Sequence, residues 1–250
     1  MNAVSRRLFL AILFLAAART ASAQTADDII EKHLTALGGR AALAKVKSRS
    51  MKGTMTLSTP AGDVSGPVEI FNEAPNKSRL LLNLDLTAFG AGQMTLDQRF
   101  DGTSGYVIDT IQGNRDISGS QLENMKNGSF PSPLLNYKDR GVTVELAGKQ
   151  KVGDRDAYEL ILKPKSGPVA HQFIDAESYL AIRVVIKVEL PQVGELEQTS
   201  DFSDYRAVDG VKVPFMIKAS STVQRSTVTL TNVEHNTSID QALFSKPAAK

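Results

Sequence analysis

Two hydrophobic periods divide the chain. Over residues 26–37, apolar side chains including Ile29, Ile30 and Leu34 fall on one side of a 3.6-residue period. Two aspartates begin this segment, where carboxylates oppose the helix dipole, and Gly38-Gly39 ends it. The pattern predicts a helix over 26–37 and a second, shorter helix at about 40–46.

From Ser48 onward the period is two. Apolar residues alternate with polar ones in segments separated by turn sequences such as Asp101-Gly102. The alternation is clearest over 180–190. We predict roughly ten strands, and the segments that alternate are 51–57, 64–71, 80–86, 94–100, 106–111, 142–146, 158–162, 171–173, 180–190, 211–221 and 225–233.

Many strands joined by short turns, with the helices set apart, are typical of an antiparallel α+β fold. Each strand has one apolar and one polar face, so the sheet must cover its apolar face. Two sandwiched halves would achieve this, and so would a sheet that curls around the helices. Because no repeat or linker is evident, residues 24–250 are predicted to form a single domain.

The alternation is interrupted between residues 117 and 139. Leu122 and Met125 indicate a short helix, and an apolar, proline-interrupted loop follows it. We predict that Phe130, Leu134 and Leu135 form a lid over a cavity. The alternative is simple packing at the mouth of the sheet.

The N-terminus has the layout of a secretory signal peptide over residues 1–23. Arg6 and Arg7 precede an eleven-residue apolar run, and Ala21-Ser22-Ala23 is a small-x-small cleavage site. The run is shorter than the roughly 20 residues that span a bilayer, which disfavours an uncleaved anchor. Ser5 to Leu10 also resembles the twin-arginine motif, so the export route stays open. We expect a periplasmic protein, cleaved after Ala23, whose membrane contact is at most transient.

Composition narrows the class of protein further. The chain has no cysteine, so it has neither a disulfide nor a cysteine for N-terminal lipid attachment. It has 29 basic and 27 acidic residues, and three of the basic ones lie in the signal segment, which leaves the mature part with a net charge of −1. Because nucleic-acid binders usually carry a basic surplus, none is expected as a partner.

No sequence motif indicates catalysis. The three histidines lie far apart in sequence, and no metal-ligand, nucleophile-elbow or dinucleotide-binding spacing occurs. The acidic residues between 197 and 209 lack calcium-loop spacing and are predicted to be a solvated strand end. We therefore predict no catalytic residue, metal or cofactor, with a hydrolase whose site is dispersed through the sequence as the less favoured alternative.

Apolar surface is the informative feature. Met51, Met55 and Met94 lie on strands among leucines, and methionine suits both cores and adaptable binding surfaces. An aliphatic sheet can bind an acyl chain at about 0.8 kcal/mol per buried CH₂. Ordinary core packing is the alternative. The residues predicted to line a hydrophobic cavity are Leu82, Leu84, Met94, Leu96, Phe100, Tyr158, Leu160, Phe173, Ile182, Val184 and Phe215.

Three stretches resemble a known family: the first helix with Gly38-Gly39, the strand Met51-Lys52-Gly53-Thr54-Met55, and residues 202–215. Together they are similar to the LolA-like outer-membrane lipoprotein-sorting proteins. The resemblance implies an unclosed β-barrel, a curved antiparallel sheet covered by short helices. It implies a cavity for lipids or lipoprotein acyl chains, without catalysis. The related fold also serves as a sensing domain in envelope-stress regulators, so an envelope protein partner is the alternative.

Overall fold

A computed structural model describes residues 24–59, 62–190, 194–222 and 224–248. The predicted signal segment and its cleavage site lie outside the described residues. Within the described part of the chain, no helix is long and apolar enough to cross a membrane. The helices described are α1 (Ala26–Ala36), α2 (Arg40–Lys45) and α3 (Gly119–Asn127), with 3-10 turns at Thr87–Phe89 and Gln241–Leu243.

The described residues form thirteen strands in one antiparallel sheet. The strand order is β6-β5-β4-β3-β2-β1-β13-β12-β11-β10-β9-β8-β7, so β6 and β7 are its two edges and the sheet is not closed. The predicted α+β fold with a curved, unclosed sheet is confirmed. The strands are β1 (Ser48–Thr59), β2 (Gly62–Glu73), β3 (Lys77–Asp85), β4 (Gln93–Phe100), β5 (Gly105–Asp109), β6 (Arg115–Ile117), β7 (Thr143–Val152), β8 (Arg155–Lys163), β9 (Ala170–Asp175), β10 (Ala181–Leu190), β11 (Gly194–Val208), β12 (Val211–Ser220) and β13 (Arg225–His235).

Both ends of α1 are fixed by local contacts. Thr25 caps the first turn: its hydroxyl oxygen accepts from the Asp28 backbone N–H (3.2 Å), and the Asp28 carboxylate accepts from the Thr25 N–H (2.9 Å). At the other end, the carbonyl of Leu37 accepts a hydrogen bond from the Lys212 N–H (2.8 Å). The end of α1 is thus attached to the start of β12.

The pairing register defines two faces of the sheet. Directly paired residues point to the same side, and one continuous row crosses seven strands on the side that we call the inner face. That row is Leu160, Gln172, Val184, Ser200, Ala219, Ser226 and Leu57. The opposite side is the outer face.

Helix α1 packs on the inner face of the sheet near β8 and β9. Ile29, Ile30 and Leu34 are at most 1% exposed and contact strand residues such as Leu160 and Ile174. We call this group the helix-side cluster. Its buried members are Ile29, Ile30, Leu34, Leu37, Leu43, Val46, Leu134, Leu135, Tyr137, Tyr158, Leu160, Leu162, Ile174, Leu180, Ala181 and Val211.

The C-terminal segment lies against the outer face of the other half of the sheet. Arg99 donates hydrogen bonds to the carbonyls of Ala242 (3.3 Å) and Ser245 (3.1 Å), and Phe244 is buried. Arg99 alternates along β4 with the inner-face residue Leu96 and is therefore on the outer face. The C-terminal segment is thus held by residues on the outer face of the sheet, such as Arg99 on β4.

Candidate functional site

A second apolar group covers the inner face on the other half of the sheet. Among the described residues it draws on strands β1–β4 and β11–β13 and on the residue that follows β3, and no helix contributes to it. We call it the strand-side cluster. Its buried members are Met51, Val64, Val68, Leu82, Leu84, Val213, Phe215, Val228, Leu230 and Val233, and its half-buried members are Met55, Leu57, Ile70, Leu80, Leu86, Met94, Leu96, Val208 and Ile217.

The half-buried members give this cluster its chemical character. Met55, Leu57, Met94 and Leu96 keep part of their surface although they pack against buried residues. Methionine side chains are unbranched and polarisable, so they can repack around an incoming apolar group. An apolar wall of this kind can bury an acyl chain, because removing apolar surface from water is favourable without any hydrogen-bond partner.

Most predicted cavity residues lie on the inner face, but they do not form one group. Leu82, Leu84 and Phe215 are buried in the strand-side cluster, and Met94 and Leu96 are half-buried against it. The other inner-face positions lie elsewhere: Tyr158 and Leu160 belong to the helix-side cluster, while Phe100 and Val184 occupy the inner face by register.

Phe173 and Ile182 lie on the outer face, so they cannot line the same wall, and their prediction needs correction. Phe173 pairs with Glu159, which alternates along β8 with the inner-face residue Leu160. The two side chains form a small separate cluster with Ala157. Ile182 departs from the simple alternation of two because the β9–β10 register shifts between Ala181 and Arg183, and Phe173 was misplaced because β9 is buried on both sides.

The predicted lid residues have different environments. Leu134 and Leu135 are 0% and 8% exposed and belong to the helix-side cluster. Phe130 is half-buried, and the centroid of its ring lies 5.1 Å from the guanidinium carbon of Arg49. The backbone N–H of Phe130 donates to the carbonyl of Pro75 (2.8 Å), which holds the loop against the β2–β3 turn. A lid function for these residues remains a prediction.

A row of polar residues crosses the inner face beside the strand-side cluster. Cross-strand pairing places His235, Arg49, Asn72 and Ser78 in line on β13, β1, β2 and β3. Arg49 lies two positions before the buried Met51 and therefore shares its face. We call these four residues the polar row. Spacing along the sequence does not reveal this row, because its members come together only through the register of four strands.

Arg49 is a cation in a largely apolar setting. Its Nε donates to Nε2 of His235 (3.0 Å), and one face of its guanidinium covers the Phe130 ring. Burial lowers the pKa of Arg49 to about 10, so the side chain stays protonated at neutral pH. Burial, followed by the charge of Arg49, lowers the pKa of His235, although Asp209 opposes the shift. His235 is thus the neutral acceptor in this pair.

The three histidines have different partners. His33 lies on the buried side of α1, with Nδ1 at 2.8 Å from the carbonyl of Tyr179, and His171 lies 2.6 Å from the Glu159 carboxylate on the outer face. His235 contacts Arg49. In the ranges that the structure describes, no group of three or more His, Asp or Glu side chains is placed to bind a metal ion.

Comparison with known proteins identifies the fold. No family model and no curated protein sequence matches the chain. Solved structures do match: a LolA superfamily protein from Nitrosomonas europaea has a TM-score of 0.56 at 13% identity, covering 90% of this chain and 99% of its own. A DUF1329 family protein from Desulfovibrio piger has a TM-score of 0.56 at 14% identity, covering 88% and 96%. A domain named for outer membrane lipoprotein sorting, from Vibrio parahaemolyticus, has a TM-score of 0.56 at 12% identity, covering 87% and 94%. The chain therefore has the LolA-like fold that its sequence motifs resemble.

Proposed function

We propose that this protein is a periplasmic binding or carrier protein for lipids or lipoprotein acyl chains, and that it works without catalysis. The observation that carries the proposal is the strand-side cluster, an inner-face wall of aliphatic and methionine side chains to which no described helix contributes. The predicted signal peptide supports export. The LolA-like fold supports a binding function of this kind.

The physical basis of binding is the burial of apolar area. Each CH₂ of a bound chain that leaves water contributes about 0.8 kcal/mol. Half-buried residues such as Met55 and Met94 can move to accept the chain, whereas Leu82 and Leu84, each 1% exposed, provide the fixed base. Such a site selects apolar chains by their length and not by a reactive group, which agrees with a non-catalytic role.

The same charge placed on opposite faces of β1 tests the proposal. Met55 is half-buried on the inner face, and its neighbour Thr54 is exposed on the outer face. We expect Met55→Asp to weaken binding of a fluorescent acyl probe such as cis-parinarate at least tenfold, because a carboxylate on the wall must lose water when the chain binds. Thr54→Asp is the matched control and should bind like wild type. Equal affinities in both folded variants would exclude the strand-side cluster as the binding wall.

An envelope protein-interaction or stress-sensing module is the second candidate. It is favoured by β7, a ten-residue edge strand that pairs on one side only, with β8. An unpaired edge of this length can accept an added strand from a partner. This candidate predicts that the wild-type protein takes up no acyl probe at all.

A further inference from the structure

The polar row lies at one end of the strand-side cluster, where it would meet the head of a bound amphiphile. We propose that Arg49, Asn72 and Ser78 bind an anionic headgroup, a carboxylate or a phosphate, whose acyl chain lies on the strand-side cluster. This inference rests on the proposed function and adds the charge of the ligand to it.

Arg49 lacks a counterion. Its Nε donates a hydrogen bond to His235. Among the described residues, its two terminal nitrogens donate to no acceptor and form no ion pair with a carboxylate. The half-buried guanidinium thus keeps its charge and two donor groups that no described protein group satisfies. By contrast, the outer-face Arg79 makes two hydrogen bonds to Asp97. The anion that Arg49 lacks would therefore come from a ligand.

His235 holds the Nε side of the guanidinium and leaves its terminal nitrogens unpaired by the described residues. Because its Nε2 accepts from Arg49, its Nδ1 carries the proton, 3.6 Å from the Asp209 carboxylate and without a hydrogen-bond partner. The neutral imidazole leaves the full positive charge on Arg49. The free edge of the guanidinium fork offers two parallel N–H donors, which match the two oxygens of a carboxylate or phosphate. His235 is thus a positioning residue.

Asn72 and Ser78 provide further donors beside Arg49. They follow Arg49 on the next two strands, and paired strands lie roughly 4.8 Å apart, so Arg49, Asn72 and Ser78 together span about 10 Å. Both side chains are half-buried, and neither makes a hydrogen bond to another described residue. An amide, a hydroxyl and a guanidinium together can donate to several oxygens of one headgroup.

The row and the wall are aligned along β1. From Arg49 to Leu57, every second side chain points inward, including Met51 and Met55. Eight residues at about 3.3 Å each give roughly 26 Å of surface with a charged end. The ring of Phe130 covers the guanidinium at that end. The wall thus has one polar end and one apolar end, as a single-headed amphiphile requires.

Three ligands with one chain and different heads test the inference by calorimetric titration: palmitate, hexadecyl phosphate and hexadecanol. We expect wild type to bind at least one of the two anions about ten- to a hundredfold more tightly than hexadecanol, the range for a hydrogen-bonded charged group. The preferred anion identifies the headgroup. Arg49→Met should remove the preference and keep the affinity for hexadecanol. Arg225→Met, at the exposed far end of β13, is the control and should keep the preference.

The outcomes separate the two proposals. Similar wild-type affinities for all three ligands would overturn the headgroup site and leave the acyl-binding function intact. A wild-type protein that binds none of them would overturn the proposed function and the headgroup site together. The wild-type comparison needs no variant, so it decides the question even where Arg49→Met does not fold. Asn72→Leu offers a second variant, and it should reduce the preference for the anion.

Discussion

Asp97 anchors a buried charge cluster, and its removal is the sharpest stability test of the fold. Its carboxylate accepts hydrogen bonds from Arg79 (Nε 2.7 Å, Nη2 2.8 Å) and from Arg99 (Nε 3.0 Å, Nη2 2.7 Å). The side chains of Arg79, Asp97 and Arg99 are 10%, 5% and 13% exposed. Arg99 also holds the C-terminal segment, so the cluster joins β3, β4 and the chain end.

Asp97→Asn keeps the shape of the side chain and removes the charge that the two guanidinium groups share. Removing one partner of a buried ion pair costs about 3–5 kcal/mol, because the remaining charge stays desolvated. We expect a loss of about 3 kcal/mol or more in the free energy of unfolding, measured by urea titration at neutral pH. Asp156→Asn is the control, since its pair with Lys151 (2.9 Å) is exposed and such pairs contribute about 0–1 kcal/mol.

The pH dependence of Asp97 gives a second measure of the same cluster. Burial alone would raise the pKa of this carboxyl, but the hydrogen bonds from Arg79 and Arg99 outweigh it and hold the pKa below its usual value. A lowered native pKa means that the stabilisation is present above about pH 4 and is lost as the pH falls through the native pKa. The difference in unfolding free energy between wild type and Asp97→Asn should therefore be constant down to about pH 5 and shrink in stronger acid. A loss no larger than that of the control would refute the cluster as an anchor.

Two further predictions concern packing and buried ionisation. Gly66→Ala should cost about 1–3 kcal/mol of unfolding free energy by urea titration, because the added Cβ would lie 1.9 Å from the carbonyl oxygen of Asn83 on the next strand; an unchanged value would contradict this contact. His33, 3% exposed, has a pKa that burial lowers despite its hydrogen bond to a backbone carbonyl. Wild-type stability should therefore fall as the pH drops below about 6.5, the pKa of histidine in the unfolded chain. The slope of unfolding free energy against pH should be smaller in His33→Gln. Equal slopes in the two proteins would contradict a neutral buried His33.

Alternation along the chain predicted the parts of the fold where one face is apolar. It placed Leu82, Leu84, Met94 and Leu96 on one face, where the structure has them. It did not predict β11, because polar residues occupy both faces of that strand. Asp201, predicted to lie at a solvated strand end, forms an ion pair with Arg183 on β10 (2.6 Å) within the sheet.

The candidate site depended on information that a single sequence does not contain. The pairing of Arg49 with Asn72 and His235 is a matter of register between distant strands, and sequence spacing does not encode it. A usable signal was nonetheless present: Arg49 lies two residues before Met51, so alternation alone places a cation on the apolar face. Sequence reasoning also placed Phe173 on the wrong face, since β9 is buried on both sides.

Binding of an acyl chain by the strand-side cluster can be measured on the protein as the cell makes it. Mature protein purified from a bacterial envelope would be examined by native mass spectrometry, followed by lipid extraction. We expect a co-purifying acyl lipid or lipoprotein fragment that is lost from Met55→Asp and kept by Thr54→Asp. A mass that corresponds to the protein alone, with no uptake of added fatty acid or phospholipid, would contradict it.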